Sequence, residues 1–246
     1  MIRISLYLII LLLVIACKKA NERVCFKSTG IDSEKIIEAE FPIDSLFLND
    51  NLNYLLIPDS NEYIQLEGGA HLIDFIEVLQ SAGKIEISNK NKCDFLRSFK
   101  EKMTVSIHLK RLNYLQYTGG GNVTTLDTID APDFRLRIVD GGGPVHLILE
   151  SGYLEGVITK GYGDFTIEGK TIDAFLLCQA NSYCNTKELQ VQGNLHVTSN
   201  SSADMHVNAN GANFTAQIYK RGNIYYAGNP NQLITEIFGE GGVLSE

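Results

Sequence analysis

No stretch after Cys17 stays apolar for anything near the roughly 20 residues a membrane-crossing helix needs, so no such helix is predicted beyond the leader. A basic excess is also missing. Against 29 Asp and Glu stand only 21 Lys and Arg, a net charge of −8, and that balance disfavours nucleic acid as a partner. No two cysteines have the short spacing of zinc ligands, and no metal or cofactor is predicted. The strand-to-helix elbow Gly-x-Ser-x-Gly is absent, which removes one common frame for a serine nucleophile. The triple glycines precede strand-like text, so the helix N-terminus that cradles phosphate is absent too.

What the chain does have begins at its N-terminus. Arg3 supplies a positive start and Leu6 to Ile15 form an almost unbroken apolar run, the pattern of an export signal over residues 1–16. Val14-Ile15-Ala16-Cys17 resembles the bacterial lipobox, in which a small residue precedes the cysteine that is lipidated before cleavage. Cys17 is therefore the expected lipidation site. Diacylglycerol plus an N-acyl chain would anchor the protein stably, since two chains already suffice. Lys18 and Lys19 follow where an aspartate would signal inner-membrane retention, so the outer membrane is the expected location, facing either the periplasm or the exterior.

Four cysteines remain, Cys25, Cys93, Cys178 and Cys184. An oxidising compartment permits disulfides, and three connectivities are open. Cys25 with Cys93 and Cys178 with Cys184 is the expected pairing. For the second pair the alternative is two buried thiols acting as small hydrophobes.

Residues 17–37 are polar and read as a tether. Over residues 38–117 apolar residues alternate in Ser45-Leu46-Phe47-Leu48, Tyr63-Ile64-Gln65-Leu66, Lys84-Ile85-Glu86-Ile87 and Thr104 to Leu109, with turn signals between, which predicts half-buried strands. One short helix is predicted at His71 to Leu79, where Leu72, Phe75, Ile76 and Leu79 fall at helical spacing. From residue 118 to 246 the text repeats. Turns such as Gly119-Gly120-Gly121, Gly141-Gly142-Gly143 and Gly161-Tyr162-Gly163 open units in which Val123, Val145, Phe165, Cys184, Met205, Ile224 and Val243 recur at steps of 19 to 22 residues. A second column reads Phe134, Leu154, Phe175, Leu195, Phe214 and Ile234. A period near twenty with two strands per unit predicts a β-solenoid whose turns climb about 4.8 Å each and stack like upon like.

Aligning on the first column makes the next position, Thr124, His146, Thr166, Asn185, His206 and Tyr225, an outward polar column. His146 and His206 then lie three turns apart, about 14 Å at about 4.8 Å per turn, too far to share a metal. Asp127, Asp130, Asp133 and Asp140 crowd the first turns beside Arg135 and Arg137, which reads as a solvated rim of turn formers. Tyrosines near turns are the better ligand candidates, with Tyr153, Tyr162 and Tyr225 foremost, because flat amphipathic rings can stack on sugars. Tyr225 and Tyr226 face opposite sides of one strand, so only one can be core. Asp44-Ser45-Leu46 and Asp127-Thr128-Ile129 look like Asp-Ser/Thr-apolar O-glycosylation sites.

Three strings carry a family resemblance: Cys25 to Gly30, Asn91 to Ser98, and Gly222-Asn223-Ile224-Tyr225-Tyr226-Ala227-Gly228-Asn229-Pro230 with the closing Gly239-Glu240-Gly241-Gly242. The sequence resembles the auto-transporter adhesin family with the head GIN domain over nearly all of the chain after the leader. Its departures are the glycine-poor stretch Ser182 to Glu188 and Cys184 in place of a branched apolar residue. The resemblance implies a strand-rich N-terminal part passing into a right-handed parallel β-helix, with no established catalytic activity. The expectation is an all-β, non-enzymatic cell-envelope lipoprotein used for adhesion or as an interaction scaffold, with glycans or envelope proteins as partners. The competing expectation is a polysaccharide lyase or hydrolase built on the same scaffold.

Overall fold

The computed structural model describes residues 29–91 and 103–246. Cys17, Cys25 and Cys93, and with them the lipidation site and the first disulfide, lie outside the described residues. The rest is nearly all β, with 63% strand and 2% helix, wound as a β-solenoid of about seven turns.

Parallel pairing follows the predicted first column residue by residue. Val123 lies beside Val145, Val145 beside Phe165, Phe165 beside Cys184, Cys184 beside Met205, Met205 beside Ile224, and Ile224 beside Val243. From Val123 through Ile224 these residues are buried. The second column holds its period but changes two members. Phe134, Leu154, Ala174, Leu195, Phe214 and Leu233 stack on one another, whereas Phe175 and Ile234 stand one residue away and face outward. The reason is the two-residue alternation of a strand. At Ala174-Phe175 and Leu233-Ile234 both neighbours are apolar, so hydrophobicity cannot choose the face. The hydrogen-bond register chooses it, and it puts the smaller residue of the first pair inside.

A third short face is made by Ile129, Leu149, Gly169 and Leu189 in neighbouring turns. Two strands of 17 residues, Pro144–Lys160 and Asp164–Ala180, run without interruption around a corner. Glycine is required where turns come closest. A Cβ on Gly143 would stand 1.7 Å from the carbonyl oxygen of Gly121, and Gly169 has φ +108° with a Cβ position 2.1 Å from the oxygen of Leu149.

Parallel stacking also reaches ahead of residue 118. Ser45–Leu48 pairs with Tyr114–Tyr117, and Asn53–Pro58 with Val123–Thr125, so residues 45–58 form a turn whose successor comes only after a long excursion. That excursion breaks the twenty-residue period and hides the turn from pattern reading. Its strands Lys84–Asn89 and Thr104–Leu109 lie parallel on the other side of the same turn. Antiparallel strands then close that end, Ile76–Ser81 on the first and Tyr63–Gly69 followed by Asp32–Glu38 on the second.

The helix expected at His71 to Leu79 is a single turn, Ala70–Ile73, followed by the strand Ile76–Ser81. Ala82 (φ 47°) and Gly83 (φ 84°) both adopt positive φ, the conformation of a tight two-residue hairpin turn, and the hairpin they close draws the second half of the stretch into the sheet.

Cys178 and Cys184 are free thiols here, not a disulfide. They flank the corner at residues 179–183, both fully buried, with their side chains close to each other. Both fill interior volume as small groups, and burial pushes the Cys184 thiol well above its usual range.

Candidate binding surface

The predicted outward column is in register throughout: Thr124, His146, Thr166, Asn185, His206 and Tyr225 lie on consecutive turns. Its C-terminal half is an aromatic ladder. Tyr183 and His206 have ring centroids 5.9 Å apart, and His206 stacks on Tyr225 at 5.0 Å and 12°. His206 Nδ1 lies 3.2 Å from Glu246, which also takes an ion pair from Lys187 at 3.1 Å. Desolvation alone would raise the Glu246 carboxyl, but hydrogen bonds from Lys187 and His206 hold it below the usual carboxylate range. His146 is engaged separately with Glu168 at 2.7 Å.

The three tyrosines singled out in the sequence are not brought together. Tyr225 belongs to this ladder, while Tyr226 turns inward and packs edge-on against Phe214 at 5.6 Å. Tyr153 stands on another face, in register with Asp133 and Asp173, where burial and the neighbouring Glu155 raise its hydroxyl pKa. Tyr162 occupies the corner between two long strands, 76% exposed. Sequence reasoning missed a second ladder. Phe175, placed in the second apolar column by its period, faces outward and stacks on His196 at 5.4 Å and 18°.

The acidic residues separate into turn formers and ion pairs. Asp127 accepts a hydrogen bond from the Thr128 backbone, and Asp140 adopts φ 57° at a corner. Arg135 reaches both Asp133 and Glu155 at 3.4 Å, and Arg137 also binds Glu155. Asp130 alone enters a recess of about 400 Å³, where it lies beside Glu150, which is in turn beside Lys170 on the next turn. Among the described residues no three His, Cys, Asp or Glu side chains are grouped to hold a metal, and no helix is long and apolar enough to cross a membrane. Of the two motifs resembling glycosylation sites, Thr128 is exposed, whereas Ser45 is half-buried between Lys84 and Tyr114.

Solved structures share this architecture. A crystal structure described as a putative adhesin from Bacteroides fragilis aligns with TM-score 0.79 at 20% identity, covering 88% of this chain and 97% of that one. A putative adhesin from Parabacteroides distasonis aligns with TM-score 0.65 at 18% identity, covering 88% and 98%. A protein described as a putative lipid binding protein, also from Parabacteroides distasonis, aligns with TM-score 0.65 at 17% identity, covering 88% and 97%. At these identities the likeness concerns the fold. No curated protein matches the sequence. The model of the family described as "putative auto-transporter adhesin, head GIN domain" matches residues 43–230, and the chain belongs to that family.

Proposed function

We propose that this chain is a non-enzymatic lipoprotein of the cell envelope, anchored to the outer membrane through Cys17, which presents its solenoid flank for adhesion or as an interaction scaffold. The observation that carries this reading is the outward ladder of Tyr183, His206 and Tyr225, where flat rings recur at the spacing of the turns on a rigid face. Such a face offers a repeating extended partner a matching set of contacts without any moving part. Export by the N-terminal segment and lipid attachment place that face outside the cytoplasm, where glycans and envelope proteins are the available partners. A glycan array together with a pull-down from solubilised envelopes tests the reading. Capture of a glycan, peptidoglycan or one envelope protein is expected, weakened by Tyr225→Ala. Failure to bind any of them overturns it.

One observation favours a second reading, a polysaccharide lyase or hydrolase. Asp130 and Glu150 stand side by side at a recess with Lys170 next to them, and paired carboxylates are the tools of glycoside cleavage. This reading requires product release from an acidic polysaccharide that Asp130→Asn abolishes.

A further inference from the structure

The last two turns carry a feature that the adhesion reading does not use. Tyr219 follows the strand Asn213–Ile218 and Phe238 follows Gln232–Ile237, and because Ile218 lies beside Ile237 the two aromatic residues reach the same corner on neighbouring turns. Their rings stack, with centroids 5.0 Å apart and planes at 18°. They are nevertheless 48% and 65% exposed. Leu233, Ile234, Ile237 and Leu244 of the last turn are exposed as well, at 41–50%, and the ring pair stands at the corner of that uncovered end, against charged side chains. The corner beneath them is tight, since a Cβ on Gly239 would stand 2.2 Å from the carbonyl oxygen of Lys220, so the rings sit on a backbone with little freedom.

Beside the rings lies a recess of about 550 Å³ whose charged lining is Lys220, Arg221 and Glu240, with Ser202 at its edge. Neither cation has a carboxylate within ion-pair distance among the described residues, and Glu240 has no cation. Two unpaired cations beside one carboxylate give the recess a positive balance on a chain whose net charge is −8.

We propose that this corner is a binding subsite for an acidic saccharide. The ring face of Phe238 turned away from Tyr219 is open, and the flat C–H face of a pyranose stacks on such a surface. Arg221 offers a planar fork that matches a carboxylate, and Lys220 adds a second charge. Glu240 and Ser202 accept hydrogen bonds from sugar hydroxyls. A neutral sugar would leave the cations unused, and a simple anion would leave the rings uncovered, so the two halves together select a sugar that carries an acid. The proposal rests on the adhesion reading and names the ligand class for one corner of the solenoid.

The test uses the full chain and a trigalacturonate, with its carboxyl-reduced neutral counterpart as the comparison, measured by titration calorimetry. Binding of the acidic form is expected, weakened by added salt. Phe238→Ala is expected to weaken it by about tenfold, the size of one aromatic stacking contact. Arg221→Gln is expected to erase the preference for the acidic form. Both side chains are exposed, so an unchanged melting temperature in each variant verifies that the fold is intact. Equal binding of acidic and neutral sugars, or unchanged binding by both variants, overturns this subsite while leaving the adhesion reading in place. Concentration-dependent dimerisation that Phe238→Ala abolishes assigns the corner to a second copy and overturns it too. If trigalacturonate fails to bind and the glycan array and envelope pull-down also fail, both readings fall together.

Discussion

Phe134→Ala and Phe175→Ala make a matched pair, because the two phenylalanines recur at the same period but the hydrogen-bond register puts one inside and one outside. Phe134 is fully buried beside Leu154, so truncation removes the whole ring from a packed interior and leaves a cavity. Buried Phe→Ala changes cost about 3–5 kcal/mol. At about 2–4 °C per kcal/mol for a chain of this size, the melting temperature should fall by about 6–20 °C. Phe175 instead covers His196 on the outer flank and is half-buried. Its loss removes one aromatic contact and some partly buried area, about 1 kcal/mol or a little more, and should lower the melting temperature by about 2–5 °C. Differential scanning calorimetry of the two variants beside the parent measures the ratio. Ala174→Leu sharpens the comparison, since enlarging an interior residue should cost about 1–3 kcal/mol through overpacking. Equal shifts for the two phenylalanine variants, or a larger one for Phe175→Ala, would refute the register and with it the assignment of outward faces.

Gly143→Ala should be destabilising by about 2 kcal/mol or more because its Cβ meets the Gly121 backbone, whereas Gly142→Ala, with nothing within 4 Å, should stay within about 0.5 kcal/mol of the parent. Chemical denaturation of the two variants checks this contrast between neighbours. Asp59 is held below the usual carboxylate range by hydrogen bonds from the Asn61 backbone and from His108, the latter at 2.9 Å. A depressed carboxyl stabilises the fold above its unfolded pKa, about 3.9, and that contribution disappears as pH falls through the folded value. The stability gap between parent and Asp59→Asn should therefore be present at neutral pH and close in acid, and a gap that widens on acidification contradicts it. Cys178 and Cys184 should resist iodoacetamide in the folded protein and both be alkylated after unfolding without reductant, as intact mass will report; a chain in which neither takes up label after unfolding means a disulfide instead. Thr29 and Asn91 both hydrogen-bond to the helical turn Ala70–Ile73, through the His71 amide and the Leu72 carbonyl, which brings the two chain ends leading to Cys25 and Cys93 to one place. Non-reducing peptide mapping should recover a Cys25–Cys93 cross-link.

How far the sequence could be read depended on whether a position carried a signal that only one structure satisfies. The column from Val123 to Val243 alternates with polar neighbours such as Thr124, His146 and His206, so period and facing were both legible. Ala174-Phe175 and Leu233-Ile234 offered two apolar candidates side by side, and only pairing with the next turn could decide between them. His71 to Leu79 carried helical spacing, yet the turn at Ala82-Gly83 made a hairpin available, and tertiary pairing overrode the local pattern. At the surface, Tyr225 was found because its column was found. Phe238 was not, although it stands 19 residues beyond Tyr219 and repeats the period, because an exposed aromatic residue looks in sequence like any core residue.

The excursion between the turn at residues 45–58 and its successor has a cost in time. Contacts such as Thr118 with Asn49 span 69 residues, while later turns close over about 20. Non-local pairing is slow because chain entropy must be surrendered before any contact rewards it. During synthesis, then, the first turn waits with its apolar side uncovered until Tyr114 to Thr125 have followed, and only after that do the C-terminal turns emerge to stack one upon another. The seam between Ser45–Leu48 and Tyr114–Tyr117 is the step at which a chaperone would matter most.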